Sequence, residues 1–203
     1  MPKNIRVVKG TVVVEGSFAE SELLVARYTS RREFEFWRAQ YPSLAFLKNL
    51  PAVERLGLIN VKVADPHALA ELGTLRNLFL NGFTSASGWD FLAELTQIEE
   101  LHILNTRGKL VLPDLRRLHH LRTFRLWGCK GFSDASILTE VPYLEEVQLV
   151  DTALTPDDLL PLLEKPSVAY LSSSFGTRRQ TDLFDGYLER YGKKAHREAT
   201  GPA

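Results

Sequence analysis

Three apolar positions recur along this chain in the spacing L-x-x-L-x-L, and that repetition constrains its fold more than any other feature. The first four registers are Val53, Leu56 and Leu58; Leu75, Leu78 and Leu80; Ile98, Leu101 and Ile103; and Leu121, Phe124 and Leu126. Leu144, Val147 and Leu149 follow, and a weaker set, Val168, Leu171 and Ser173, ends the series. The first positions step by 22, 23, 23, 23 and 24 residues. A step of 22 back from Leu56 and Leu58 lands on Phe34 and Phe36, so a degenerate unit begins near Arg31. Between these sets lies a second apolar set at helical spacing: Leu69 and Leu72, Leu92 and Leu95, Leu115 and Leu118, Ile137 and Val141, Leu159 and Leu162. Each unit therefore reads as a short strand, a turn, and a short helix or 3₁₀ segment. Asp114, Asp134 and Asp157 stand near the starts of the convex segments, where a carboxylate can accept backbone N–H bonds.

Over residues 31–175 the pattern resembles the leucine-rich-repeat family, and the unit LRTFRLWGCKGFSDASILTEVP resembles its cysteine-containing subtype through Cys129. The other units carry Val61, Phe83, Thr106 and Thr152 at that position. The resemblance implies an α/β, right-handed solenoid with a parallel concave sheet of about six or seven strands and short convex helices. One unit cannot bury its apolar face alone, so neighbours must stack and the ends need caps. The expected organisation is an N-terminal β-rich cap at 1–30, the solenoid at 31–176, a C-terminal capping helix at 177–192 and a disordered polar tail at 193–203. In the first cap, Ile5, Val7, Val12 and Val14 alternate around Lys9-Gly10, which predicts a β-hairpin. In the helix, Leu183, Phe184, Tyr187, Leu188 and Tyr191 form the apolar stripe, with Thr181 as its N-cap.

Strand side chains alternate, so the residues flanking the inward pairs face the concave side. The position before the central apolar residue gives Glu33, Arg55, Asn77, Glu100, Thr123, Glu146 and Tyr170; the position between the inward pair gives Glu35, Gly57, Phe79, His102, Arg125, Gln148 and Ser172. The position after gives Trp37, Ile59, Asn81, Leu104, Trp127, Val150 and Ser174. A wet sheet face should be polar, yet five of these last seven are Trp, Ile, Leu or Val. With Phe79 they make an apolar stripe beside Glu100, His102 and Arg125, a composition that marks interaction surfaces. The expected partner-binding residues are Trp37, Ile59, Phe79, Glu100, His102, Leu104, Arg125, Trp127 and Gln148, centred on Phe79, Leu104, Arg125 and Trp127. Trp89 is expected to be buried on the convex side.

Composition narrows the alternatives. The chain has 203 residues with 33 leucines, and 25 basic residues balance 25 acidic ones. A zero net charge argues against nucleic acid or a membrane surface as partner. No apolar run is long enough to span a bilayer and the N-terminus has no signal-peptide pattern. One cysteine and no glycosylation acceptor point to a reducing, cytoplasmic setting.

No catalytic or metal-binding pattern stands out, and no cofactor is implied. Ser172, Ser173 and Ser174 lack a nucleophile-elbow context. His119 and His120 are adjacent and point apart. Asp157-Asp158 and Glu145-Glu146 read as ordinary helix-start and surface carboxylates. The sequence thus predicts a non-catalytic module that binds a partner protein on its concave face. Two alternatives are a stoichiometric inhibitor or immunity protein neutralising a cognate enzyme or toxin, and a homo-oligomeric structural or adaptor subunit.

Overall fold

A computed structural model of the chain describes residues 4–19, 23, 26–50 and 52–195. Its inner face is a nine-stranded sheet. A hairpin, β1 (Ile5–Val8) and β2 (Thr11–Glu15), leads into β3 (Glu33–Trp37). There follow β5 (Arg55–Ile59), β7 (Asn77–Asn81), β9 (Glu100–Leu104), β10 (Thr123–Trp127), β11 (Glu146–Val150) and β12 (Tyr170–Ser173). From β2 onward every neighbouring pair is parallel and in register, one coil to the next. The count exceeds the expected six or seven because the hairpin does not merely cover the first coil. β2 pairs in parallel with β3, aligning Val12 with Phe34 and Val14 with Phe36, so it behaves as one more coil strand. Lys9 (φ 48°) and Gly10 (φ 96°) make the tight turn before it, the backbone hand that a two-residue hairpin requires.

The inward pairs are the core. From Phe34 and Phe36 to Val147 and Leu149, none of them is more than 2% exposed. The last pair is incomplete, since Ser173 replaces an apolar residue. Its hydroxyl donates to the Leu149 carbonyl at 2.8 Å, which keeps the substitution free of an unmet polar group.

Two columns fix the ends of the strands. At the leading end stand Arg32, Glu54, Arg76, Glu99, Arg122 and Glu145, one per coil, with alternating sign. The N–H of each of the last five donates to the carbonyl of the residue before it, at 2.7–2.9 Å. Arg32 pairs with Glu54, Arg76 with Glu99 at 3.5 Å and Arg122 with Glu145 at 3.4 Å. At the trailing end stand Gly16, Arg38, Asn60, Gly82, Asn105, Gly128 and Asp151, all at φ between 51° and 72°. The N–H of Gly16, Arg38, Asn60, Gly82, Asn105 and Gly128 donates to the following coil before the chain turns away. A left-handed residue there lets the backbone leave the sheet without losing its last ladder bond.

A second, three-stranded parallel sheet runs beyond that turn: β4 (Gln40–Ser43), β6 (Lys62–Asp65) and β8 (Thr84–Ser85). The spacing gave no sign of it, because these segments are two to four residues long and bury at most one side chain each, Tyr41 in β4 and Val63 in β6. The convex return is made of 3₁₀ turns at Ala45–Asn49, His67–Glu71, Asp90–Glu94, Ser136–Glu140 and Asp157–Leu159, with a short α-helix at Leu160–Glu164. A 3₁₀ turn rises about 2.0 Å per residue against about 1.5 Å for an α-helix, so it spans the coil with fewer residues. Leu115 and Leu118 are fully buried but lie in no regular helix. Pro113 lacks an N–H there, and a single 3₁₀-type bond, Leu118 N–H to the Leu115 carbonyl at 3.0 Å, makes the turn. Asp114 and Asp134 accept the N–H of Arg116 and Ser136 at 3.0 Å each. Asp157 does not act in this way: its carboxylate accepts the Tyr187 hydroxyl, and Asp158 takes the Thr155 N–H.

The C-terminal helix spans Arg178–Arg190, four residues earlier than Thr181 as cap would require. Thr177 is the N-cap and accepts the Gln180 N–H at 3.3 Å. Phe184 and Leu188 are buried against the last coil, whereas Leu183 faces water. Residues 193–195 are not a loose tail. The Lys194 backbone bonds to Ala169, just before β12, and to Leu171 on it, and the Lys193 ammonium donates to the carbonyls of Lys165 and Val168. The open edge of β12 offers unpaired backbone groups, and the returning chain satisfies them. The rest of the expected tail, 196–203, lies outside the described residues.

One close approach tests the stacking of coils. At Gly131 a β-carbon would run into the backbone carbonyl of Gly108 in the preceding coil, while at Gly73 it would meet nothing within 4 Å. Gly131→Ala should therefore cost at least about 2 kcal/mol in urea denaturation, with Gly73→Ala within about 0.5 kcal/mol of wild type.

Candidate interaction surface on the concave face

Parallel register places the outward residues in straight rows. Along the middle row lie Glu35, Gly57, Phe79, His102, Arg125 and Gln148, each directly beside the next. Phe79 and His102 meet edge to face with ring centroids 6.1 Å apart. The His102 Nε2 lies 3.7 Å from the Glu100 carboxylate, beyond hydrogen-bond distance. Burial, with the Arg125 guanidinium next, pushes the His102 pKa below its ordinary 6.5 against the opposing pull of Glu100 and Glu146. The ring is therefore neutral at neutral pH.

Arg125 donates to Glu146 at 3.0 Å, and Gln148 donates to the same carboxylate oxygen at 3.2 Å. Glu146 is only 6% exposed, not the surface carboxylate its neighbour Glu145 suggests. It sits on β11 beneath the Arg125 side chain, so its charge is compensated at the site. The signal that could have found it was its register: an acidic residue one strand across from an arginine two positions on.

The third row divides. Trp127 is 56% exposed, with Leu104 and Val150 half-buried on the strands to either side. These three make a continuous apolar stripe. Trp37 is half-buried and its indole N–H donates to Glu35 at 2.9 Å, so it stays on the concave side of its own strand. Ile59 corrects the expectation. It is 6% exposed, because Gly57 two residues earlier has no side chain and the Ile59 Cδ1 folds to within 3.1 Å of where a β-carbon would stand. Asn81 also interrupts the stripe, accepting from the Asn105 amide at 2.8 Å. Trp37 is thus separated from the Leu104–Trp127–Val150 stripe.

The same missing side chain opens a pocket of ≈ 320 Å³ on the N-terminal half of the face, floored by Gly57 and walled by Glu35, Phe79, Arg55, Asn77, Glu100 and His102. Cys129 is fully buried, its thiol 3.5 Å from the Trp127 carbonyl and 3.7 Å from that of Ile103. Trp89 is partly buried on the convex side against Phe83 and Phe91. Among the described residues, no three His, Cys, Asp or Glu side chains gather as metal ligands, and no helix is long and apolar enough to cross a membrane.

No protein-family model matches the sequence, and no curated protein matches it. Among solved structures, the chain is similar to an internalin from Listeria monocytogenes, with 23% identity and a TM-score of 0.59 over 81% of this chain and 47% of that one. It is also similar to internalin C2 from the same organism, with 22% identity and a TM-score of 0.55 over 81% of this chain and 80% of that one. The chain thus spans less than half the length of the first of these and four-fifths of the second. Both are leucine-rich-repeat proteins, and the likeness establishes that this chain has their fold. It does not extend to the cysteine-containing subtype that the single coil around Cys129 resembles.

The His102 environment sets a pH dependence. The unfolded chain takes up a proton at this side chain near 6.5, and the folded chain only at lower pH. Stability contributed by the neutral, buried ring is complete above that value and is lost as pH falls through the lower folded midpoint. In NMR titration the His102 ring should titrate below 6.5. Acidification should also destabilise wild type more than His102→Gln in urea melts.

Proposed function

We propose that the protein is a non-catalytic recognition module that binds a partner protein on its concave face. The observation that carries this reading is the half of the face around β9–β11. There Trp127, Leu104 and Val150 leave an apolar stripe in water beside the paired Arg125 and Glu146. Large aromatic and arginine side chains dominate binding energy where they are held in place before contact. Here a hydrogen-bonded parallel sheet holds them, so little ordering entropy is lost on association. The leucine-rich-repeat fold supports the same reading at the level of class. Fold alone names no partner, and neither the inhibitor nor the subunit alternative has an observation in its favour over the other. A lone cysteine buried as a thiol fits a reducing compartment, which supports a cytoplasmic location.

The concave strip is narrow, so the binding energy should concentrate in few residues. With the protein immobilised as bait in a lysate of its source cells, one species should be enriched in proportion to bait. Trp127→Ala and Phe79→Ala should each weaken its capture by more than about 1 kcal/mol while the urea midpoint stays near wild type. Capture that ignores both substitutions would overturn the reading.

A further inference from the structure

The pocket over Gly57 has a chemistry of its own. Glu33, Glu35 and Glu100 bring three carboxylates to its lining, against the single guanidinium of Arg55. Arg55 stands 3.9 Å from Glu33, so a single cation faces three carboxylates. The whole chain is charge-balanced, which makes this local negative bias a property of the pocket and not of the protein. His102, neutral at neutral pH, does not offset it. One wall is the Phe79 ring, which is half-buried, and the floor is Gly57, with the Glu35 Cγ and Ile59 Cδ1 closing over it at 3.0 and 3.1 Å from its ideal β-carbon position.

We propose that this pocket receives an arginine side chain presented by the protein that docks on the concave face. The inference rests on the concave-face reading above and adds the chemical class of the group that is recognised. An anionic or neutral guest would meet uncompensated carboxylates. A cation is favoured, and the aromatic wall selects among cations. A guanidinium is planar and weakly hydrated, can lie against the Phe79 ring, and can donate from its fork to a flanking carboxylate. An ammonium is compact, strongly hydrated and gains less from the ring. Glu35 and Glu100 stand on β3 and β9, three strands apart with Gly57 and Phe79 between them, so a guanidinium on the Phe79 ring has a carboxylate on either flank. The Trp37 indole N–H occupies one oxygen of Glu35 and holds that carboxylate in position.

The test uses the full chain, labelled with ¹⁵N, and three small probes: N-acetyl-arginine amide, N-acetyl-lysine amide and the uncharged isostere N-acetyl-citrulline amide. The arginine probe should shift the amide signals of Gly57, Phe79 and His102 saturably. It should bind at least about fivefold tighter than either other probe. Glu35→Gln with Glu100→Gln should remove that preference while the remaining amide signals stay in place, which shows that the fold is intact. A citrulline or lysine probe that binds as tightly, or a preference that survives the double substitution, overturns the proposal. The two readings fail separately. If the arginine probe shows no preference while Trp127→Ala still weakens partner capture, the pocket assignment falls alone. If capture also ignores Trp127 and Phe79, the concave-face reading falls with it.

Discussion

The in-register pairing of coil on coil is the constraint on which everything else depends. A coil of 22–24 residues can neither bury its two inward side chains nor satisfy its strand backbone without a neighbour in the same phase. The phase is held at both ends of every strand. Leading residues from Arg32 to Glu145 carry the backbone ladder into the strand, and left-handed residues from Gly16 to Gly128 carry it out. Between these limits five residues remain, which is why the inner strands from β3 to β11 all have the same length. Gly131 shows how tight the arrangement is away from the sheet, where two backbones touch with no room for a methyl group.

That rigidity is also what gives the concave face its meaning. Outward side chains stand on strands about 4.8 Å apart, so the identity of one residue per coil decides the relief. Gly57 makes a hollow and draws Ile59 down beside it, while Trp127 makes a projection. Glu146 is buried where Arg125 and Gln148 donate to its carboxylate. The face is thus divided into an acidic hollow on its first half and an apolar ridge with a compensated ion pair on its second.

Much of the fold was legible in the sequence because burial acts on every second residue of a strand, and thirteen inward positions from Phe34 to Leu171 obey that rule. Ile59 was misread for a related reason. Alternation assigns it outward, but the empty position at Gly57 lets a flexible branched side chain fold back into contact. β4, β6 and β8 were invisible because no face of that small sheet is consistently apolar. The left-handed column was half visible, with Gly or Asn at five of its seven positions, but Arg38 and Asp151 obscured it. Closure of β12 by Lys194 could not be read at all, since a strand partner that contributes only backbone leaves no mark on residue type.

The alternating column at the leading end has a period of two coils, not one. Splicing out or duplicating a single coil would bring two arginines or two glutamates face to face at the seam, although every inward leucine would still find its place. Adding or removing a pair would leave the sequence of signs intact. Arrays built on this template can change length without electrostatic conflict only by even numbers of turns.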